Sequence, residues 1–176
     1  ISEARRTTMR RMLVPFVTIT LLLAAMATAA QAQTKISGTN HCAKPDPQNA
    51  VQVGDRPNHA FSLGQNKCAW TKPWEIAGTP GKEGVGTFSG EITGNTFRFH
   101  AYYVDEMANG DKAYYRYQGT ATLKDGAPQT ETGTWSLIRG TGKLKGVTGK
   151  GTYKGTAGAD GTMTYEVEGE YALPKK

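Results

Sequence analysis

The chain predicts an all-β fold: an antiparallel up-and-down barrel of about eight strands, preceded by an irregular arm that a disulfide ties down. Three observations predict it. Towards the C-terminus Met163, Tyr165, Val167, Gly169 and Tyr171 share one parity while Thr164, Glu166, Glu168 and Glu170 share the other, the period of a half-buried strand. A Gly-Thr pair followed by an inward residue recurs at Gly86-Thr87-Phe88, Gly119-Thr120-Ala121, Gly133-Thr134-Trp135, Gly151-Thr152-Tyr153 and Gly161-Thr162-Met163. The unequal spacing of these phrases suits a meander of hairpins rather than a solenoid. No stretch after Gln33 sustains a helical period.

Residues 1–32 read as a targeting segment. Arg5, Arg6, Arg10 and Arg11 precede an apolar run from Met12 to Ala29, and Ala30-Gln31-Ala32 supplies small residues for cleavage after Ala32. Pro15, Thr18 and Thr20 interrupt the run and no basic stop follows it, which argues against a membrane anchor. The expected destination is periplasmic or extracellular. Cleavage removes four arginines and Glu3, so the formal charge of +6 falls to +3. That is weak support for a nucleic-acid or membrane partner. Export also makes a disulfide the reading for Cys42 and Cys68, the only two cysteines. A metal pair using His41 and Cys42 lacks a second cluster of ligands nearby, so no metal and no cofactor is expected.

Residues 33–58 read as arm and loop, punctuated by Pro45, Pro47 and Pro57, with Val51 and Val53 offering a short edge strand. The barrel domain is expected over residues 59–176. Phe61 and Leu63 share a register in its first strand, and Cys68, Trp70, Trp74 and Ile76 then fall on one parity, with Pro73 marking an edge or bulge. Trp70 and Trp74 either line a binding mouth or plug one barrel end beside the disulfide.

Loop length fixes which residues face each other across a hairpin. A three-residue loop Ala108-Asn109-Gly110 sets Tyr103 opposite Tyr115, Ala101 opposite Tyr117, Phe99 opposite Gly119 and Phe97 opposite Ala121, large against small as a filled interior requires. A three-residue loop Ala159-Asp160-Gly161 sets Lys154, Thr152 and Lys150 opposite Glu166, Glu168 and Glu170 outside, and Tyr153 opposite Val167 inside. These pairs partly neutralise the basic run Arg139, Lys143, Lys145, Lys150 and Lys154, which counts further against nucleic acid. Gly151 opposite Gly169 leaves a place short of side-chain volume where a pocket could open.

Ile138, two positions before Gly140-Thr141-Gly142, with Leu144, Gly146, Val147 and Gly149, resembles the late-strand turn of the allene oxide cyclase and dirigent-type barrels. The resemblance implies a calycin-like eight-stranded barrel. No position matches the cyclase's catalytic residues, so it implies no catalytic assignment here.

Catalysis by general acid and base needs titratable groups converging in a shielded place. On the parity above, Glu91, Glu166, Glu168 and Glu170 face solvent, and Asp105 and Glu106 fall in a turn. The expected interior is polar only through tyrosine hydroxyls, those of Tyr103, Tyr115, Tyr117, Tyr153, Tyr165 and Tyr171. Arg139 shares parity with Trp135 and Leu137 and is expected at a barrel mouth. Candidate ligand contacts are therefore Trp70, Trp74, Tyr103, Tyr115, Tyr117, Arg139, Tyr153 and Tyr165. A second cluster on the polar face, Arg98, His100, Tyr102 and Arg116, is either a patch for an anion or partner or a solvated strand face with one cation–π contact. No nucleophile elbow, metalloprotease helix, phosphate loop or dinucleotide fingerprint occurs. The leading reading is a non-catalytic binding or interaction module for a small apolar or aromatic ligand. A cyclase or isomerase and a solid-core scaffold that self-associates are the alternatives.

Overall fold

The computed structural model describes residues 33–174; the targeting segment expected over residues 1–32 lies outside them. The strands are β1 (Thr34–Cys42), β2 (Gln48–Gln52), β3 (His59–Lys72), β4 (Glu75–Ile76), β5 (Thr79–Thr93), β6 (Thr96–Met107), β7 (Lys112–Lys124), β8 (Ala127–Gly140), β9 (Thr148–Ala157) and β10 (Met163–Ala172). A single 3-10 turn, Gly142–Leu144, lies between β8 and β9. From β5 to β10 each strand pairs with the next, β10 pairs with β1, β1 with β3, and β3 with β5, so the antiparallel wall closes. Closure leaves no open edge around the main wall. β2 pairs with β3 and β4 with β5, flanking that wall.

Turn chemistry sets the register. Gly110 (φ +84°) and Gly161 (φ +82°) hold the left-handed position of the two three-residue loops, which other residue types rarely adopt. Tyr103 accordingly pairs with Tyr115, Phe99 with Gly119 and Phe97 with Ala121. Lys154 pairs with Glu166, Tyr153 with Val167 and Gly151 with Gly169. Glu166 and Glu168 are exposed and Glu170 is half-buried, so the assignment of faces holds.

Three expectations are corrected. The segment expected as arm is wall over part of its length: β1 pairs along all of Thr34–Cys42 with β10. Its inward positions, Ile36, Gly38, Asn40 and Cys42, include only one large apolar residue, so alternation did not mark it as a strand. Gly38 is required there because a Cβ would collide with the Trp70 ring and the Lys72 carbonyl. Cys42 and Cys68 sit directly opposite one another in the β1–β3 pairing and form the disulfide, so the link fastens wall to wall. Second, the room at Gly151 and Gly169 is a separate pocket and not part of the inner cavity: the Trp135 indole reaches into it from within, and Ser37, Lys150, Glu168 and Glu170 line it with the two glycines. Third, the alternation of β8 breaks before its end: Tyr115 pairs with Leu137 but Tyr114 with Arg139, and the bulge leaves Ile138 and Arg139 both exposed.

The interior has an apolar cluster at each level. Trp74, Ile76, Met107, Ala113, Tyr115, Trp135, Leu137, Leu144, Val147 and Tyr153 form one; Phe97, Phe99, Ala101, Ala121 and Leu123 form the other. Inward glycines receive inward rings across the wall: Gly64 takes Phe88, Gly84 takes Tyr103, Gly119 and Gly133 take the Tyr153 phenol, and Gly155 takes Tyr165. This is how a narrow barrel holds so many aromatic side chains at the density of a packed interior.

Candidate functional site: the aromatic lumen

Among the expected ligand contacts, Trp70, Trp74, Tyr103, Tyr115, Tyr117, Tyr153 and Tyr165 come together around one cavity of about 80 Å³, which Asn40, Asn66, Trp135, Val167 and the disulfide complete. The rings hold one another in place. Trp74 stacks at a tilt on Trp70 (4.7 Å between centroids) and meets Tyr115 at 5.4 Å and Trp135 edge-on at 5.1 Å. Tyr153 meets Tyr117 and Tyr165 edge-on at 5.9 and 5.8 Å. Such offset and edge contacts suit the ring quadrupole and fix the shape of the cavity. Trp70 and Trp74 line the cavity beside the Cys42–Cys68 disulfide.

Arg139 does not join them. The β8 bulge turns it outward, where its guanidinium lies 4.3 Å above the Tyr114 ring. Of the surface cluster, Arg98, His100, Tyr102 and Arg116 are all exposed. Arg116 lies over the Tyr102 ring at 5.9 Å, and His100 shares a hydrogen bond of 3.1 Å with the Ser89 hydroxyl.

The interior is more polar than tyrosine hydroxyls alone. Asp105 is fully buried within β6, not in a turn, and its two oxygens accept the indole N–H groups of Trp70 (2.9 Å) and Trp74 (3.2 Å). Burial pushes its carboxyl up to about 7 against the pull of those two donors. Glu131 is buried on β8 and accepts the Tyr165 hydroxyl at 3.0 Å. Burial pushes it up to about 7 as well, with the Tyr153 and Tyr165 hydroxyls opposing the shift. The phenols of Tyr103, Tyr115, Tyr117, Tyr153 and Tyr165 are pushed above their usual range by burial first and by these carboxyl and phenol neighbours second, so all five stay neutral.

Both carboxyls carried a signal in the sequence. The three-residue loop begins only after Met107, which keeps Asp105 in the strand on the parity of Tyr103. Glu131 shares parity with Gly133 and Trp135. Neither carboxyl lines the cavity; each stands behind rings that do. Among the residues that line the cavity, the Tyr115 hydroxyl and Asn66 Oδ1 are buried with no hydrogen-bond partner, while the Tyr103 and Tyr153 phenols are seated against wall glycines beside Asn40 and Glu131. Buried polar groups are rarely left so, and each lost bond costs about 1–3 kcal/mol.

No family model matches the chain, and no curated protein does. Among solved structures it is similar to a protein of unknown function from the DUF3224 family of Shewanella oneidensis MR-1. The identity is 15% and the TM-score 0.48, over 82% of this chain and 100% of that one. No group of three or more His, Cys, Asp or Glu among the described residues is placed to hold a metal, and no helix among them is long and apolar enough to cross a membrane.

Proposed function

We propose that this barrel is an exported, non-catalytic binding module that takes one compact, mainly apolar ligand with a polar group into its lumen. The observation that carries the reading is the aromatic cavity itself, with the Tyr115 hydroxyl and Asn66 Oδ1 buried and unpartnered among its lining residues. A cavity of about 80 Å³ is well below the roughly 300 Å³ at which drug-sized pockets begin. The guest is therefore a single ring or a small headgroup rather than an extended lipid. Export accounts for the Cys42–Cys68 disulfide, since such bonds persist in oxidising compartments. The cyclase or isomerase reading draws on Asp105 and Glu131 titrating near neutrality, where general acids and bases work. It is the weaker of the two, because both carboxyls are engaged by ring donors and neither reaches the cavity.

Phenol titration tests the binding reading. All three tryptophans of the chain line the cavity, so their emission reports its occupancy. Saturable quenching by phenol, lost in Val167→Phe, is the expected result. Quenching that does not saturate, or that survives the filled cavity, overturns the reading.

A further inference from the structure

The lumen has a sign of charge as well as a shape. Two carboxyl groups stand directly behind its rings, Asp105 behind Trp70 and Trp74 and Glu131 behind Tyr165. No lysine, arginine or histidine lines the cavity. The basic side chain among the buried residues, His59, does not line it either and is held by Asp55 and Glu91. An interior with two acids and no base of its own can gain negative charge but has nothing to balance it: burial holds both carboxyls toward their neutral form, and a cation in the lumen favours the ionised form.

We propose that the ligand of this lumen is a small organic cation, an alkylammonium group held against the faces of Trp70, Trp74 and the surrounding tyrosines. The inference rests on the binding reading above and names the chemistry of its guest. Aromatic faces attract a cation through the ring quadrupole, most strongly for tryptophan and most strongly when water is excluded. Donation of the two indole N–H groups to one carboxyl leaves those rings more electron-rich, which reinforces the attraction. Asn66 Oδ1 and the Tyr115 hydroxyl, both buried and unpartnered, supply acceptors for an N–H or for the edge of a methylated ammonium. An anionic guest opposes ionisation of both carboxyls, and a neutral hydrocarbon leaves the acceptors unanswered.

Choline and its neutral carbon isostere 3,3-dimethylbutan-1-ol have the same shape and differ in charge, so they separate this inference from the reading it rests on. Tryptophan emission of the wild-type protein is titrated with each, with phenol as the neutral aromatic control. Choline is expected to bind at least about tenfold more tightly than the alcohol. Glu131→Gln and Asp105→Asn, each checked by circular dichroism for an intact fold, should reduce that preference. Equal affinities for choline and the alcohol overturn the cation inference and leave a neutral-ligand cavity. Silence from choline, the alcohol and phenol alike overturns both.

Discussion

The indole N–H of Trp70, at the end of β3, donates to Asp105 Oδ1 on β6 at 2.9 Å, and Trp74 donates to the other oxygen of the same carboxyl. Replacing Asp105 by Asn keeps the shape but presents an amide N–H to one of the two indoles. The loss of one buried acceptor is expected to destabilise the barrel by about 1–3 kcal/mol. The pH dependence carries the sharper signature. Between about pH 4 and 7 the unfolded chain has ionised this carboxyl while the folded chain keeps its proton, so stability falls as pH rises, by up to about 1.4 kcal/mol per pH unit. Above 7 both states are ionised and the slope ends. Urea midpoints across pH 4–8 should show the parent losing stability relative to Asp105→Asn up to pH 7; a parent that gains on the variant there contradicts a raised Asp105.

Gly169 tests how tightly the wall is fitted to its rings. A Cβ there meets the Trp135 ring and the Lys150 carbonyl of the next strand. Trp135 in turn donates its indole N–H to the Glu168 carbonyl at 3.1 Å, so it cannot withdraw without losing that bond. Gly169→Ala is expected to lower stability by about 1–3 kcal/mol, the usual range for overpacking. Gly169→Ala combined with Trp135→Phe should recover part of the loss. Thermal melts of the single and double variants measure both effects, and additive losses refute the collision.

What the sequence made legible follows from these same relations. Period-two alternation and the two three-residue loops were enough to pair Tyr103 with Tyr115 and Tyr153 with Val167, because loop length dictates register. They were also enough to name seven of the cavity residues. Alternation failed where something other than hydrophobicity decides what turns inward. Gly38 and Asn40 of β1 are inside because the Trp70 ring and the cavity need them there. The bulge at Ile138 that turned Arg139 outward follows from pairing across two strands and leaves no mark in local spacing. Asp105 was misplaced for a different reason: a carboxylate next to an Asn-Gly turn looks like part of it, and only the donors of Trp70 and Trp74, more than thirty positions away, make it a core residue.

His59 ties the loop before β3 to the wall, bridging Asp55 and, at 2.6 Å, Glu91 of β5. The hydrogen bonds that Asp55 and then Glu91 accept from the ring raise the imidazole above its usual value. The bridge is therefore complete below about pH 6.5 and is lost as pH rises through the higher folded value. NMR titration of His59 should give a pKa above 6.5, moved down by Asp55→Asn and by Glu91→Gln. A titration at or below the free value shows that neither carboxylate engages the ring.

The disulfide joins two residues that are already paired, Cys42 of β1 and Cys68 of β3, so its effect is expected mainly in the unfolded chain. A link across a sequence separation of 26 restricts that chain by roughly 3–4 kcal/mol in the loop-entropy account. Reduction, or the double substitution Cys42→Ser and Cys68→Ser, should lower stability by about that amount. The strand pairings around the site should persist, since the hydrogen-bonded registers on either side do not depend on the sulfur atoms. Chemical denaturation with and without reductant measures the difference, and amide exchange of β1 in the reduced protein checks that the wall stays closed.

Tyr115 gives the most direct reading of whether the lumen is built for a guest. Tyr115 lines the cavity and its hydroxyl is buried with no partner, so in the empty barrel it contributes a desolvation penalty and no bond. Tyr115→Phe keeps the ring and its contacts with Trp74, Trp135 and Tyr103. The variant is expected to be about 1 kcal/mol more stable than the parent without ligand. A ligand that uses the hydroxyl reverses the comparison, because it stabilises the parent by more than the variant according to its affinity for each. Thermal melts of both proteins, with and without a saturating guest, therefore distinguish a hydroxyl kept for binding from one that is only packed. A Phe variant less stable than the parent in the empty state means that the hydroxyl already has a partner, and the lumen then has one fewer group waiting for a guest.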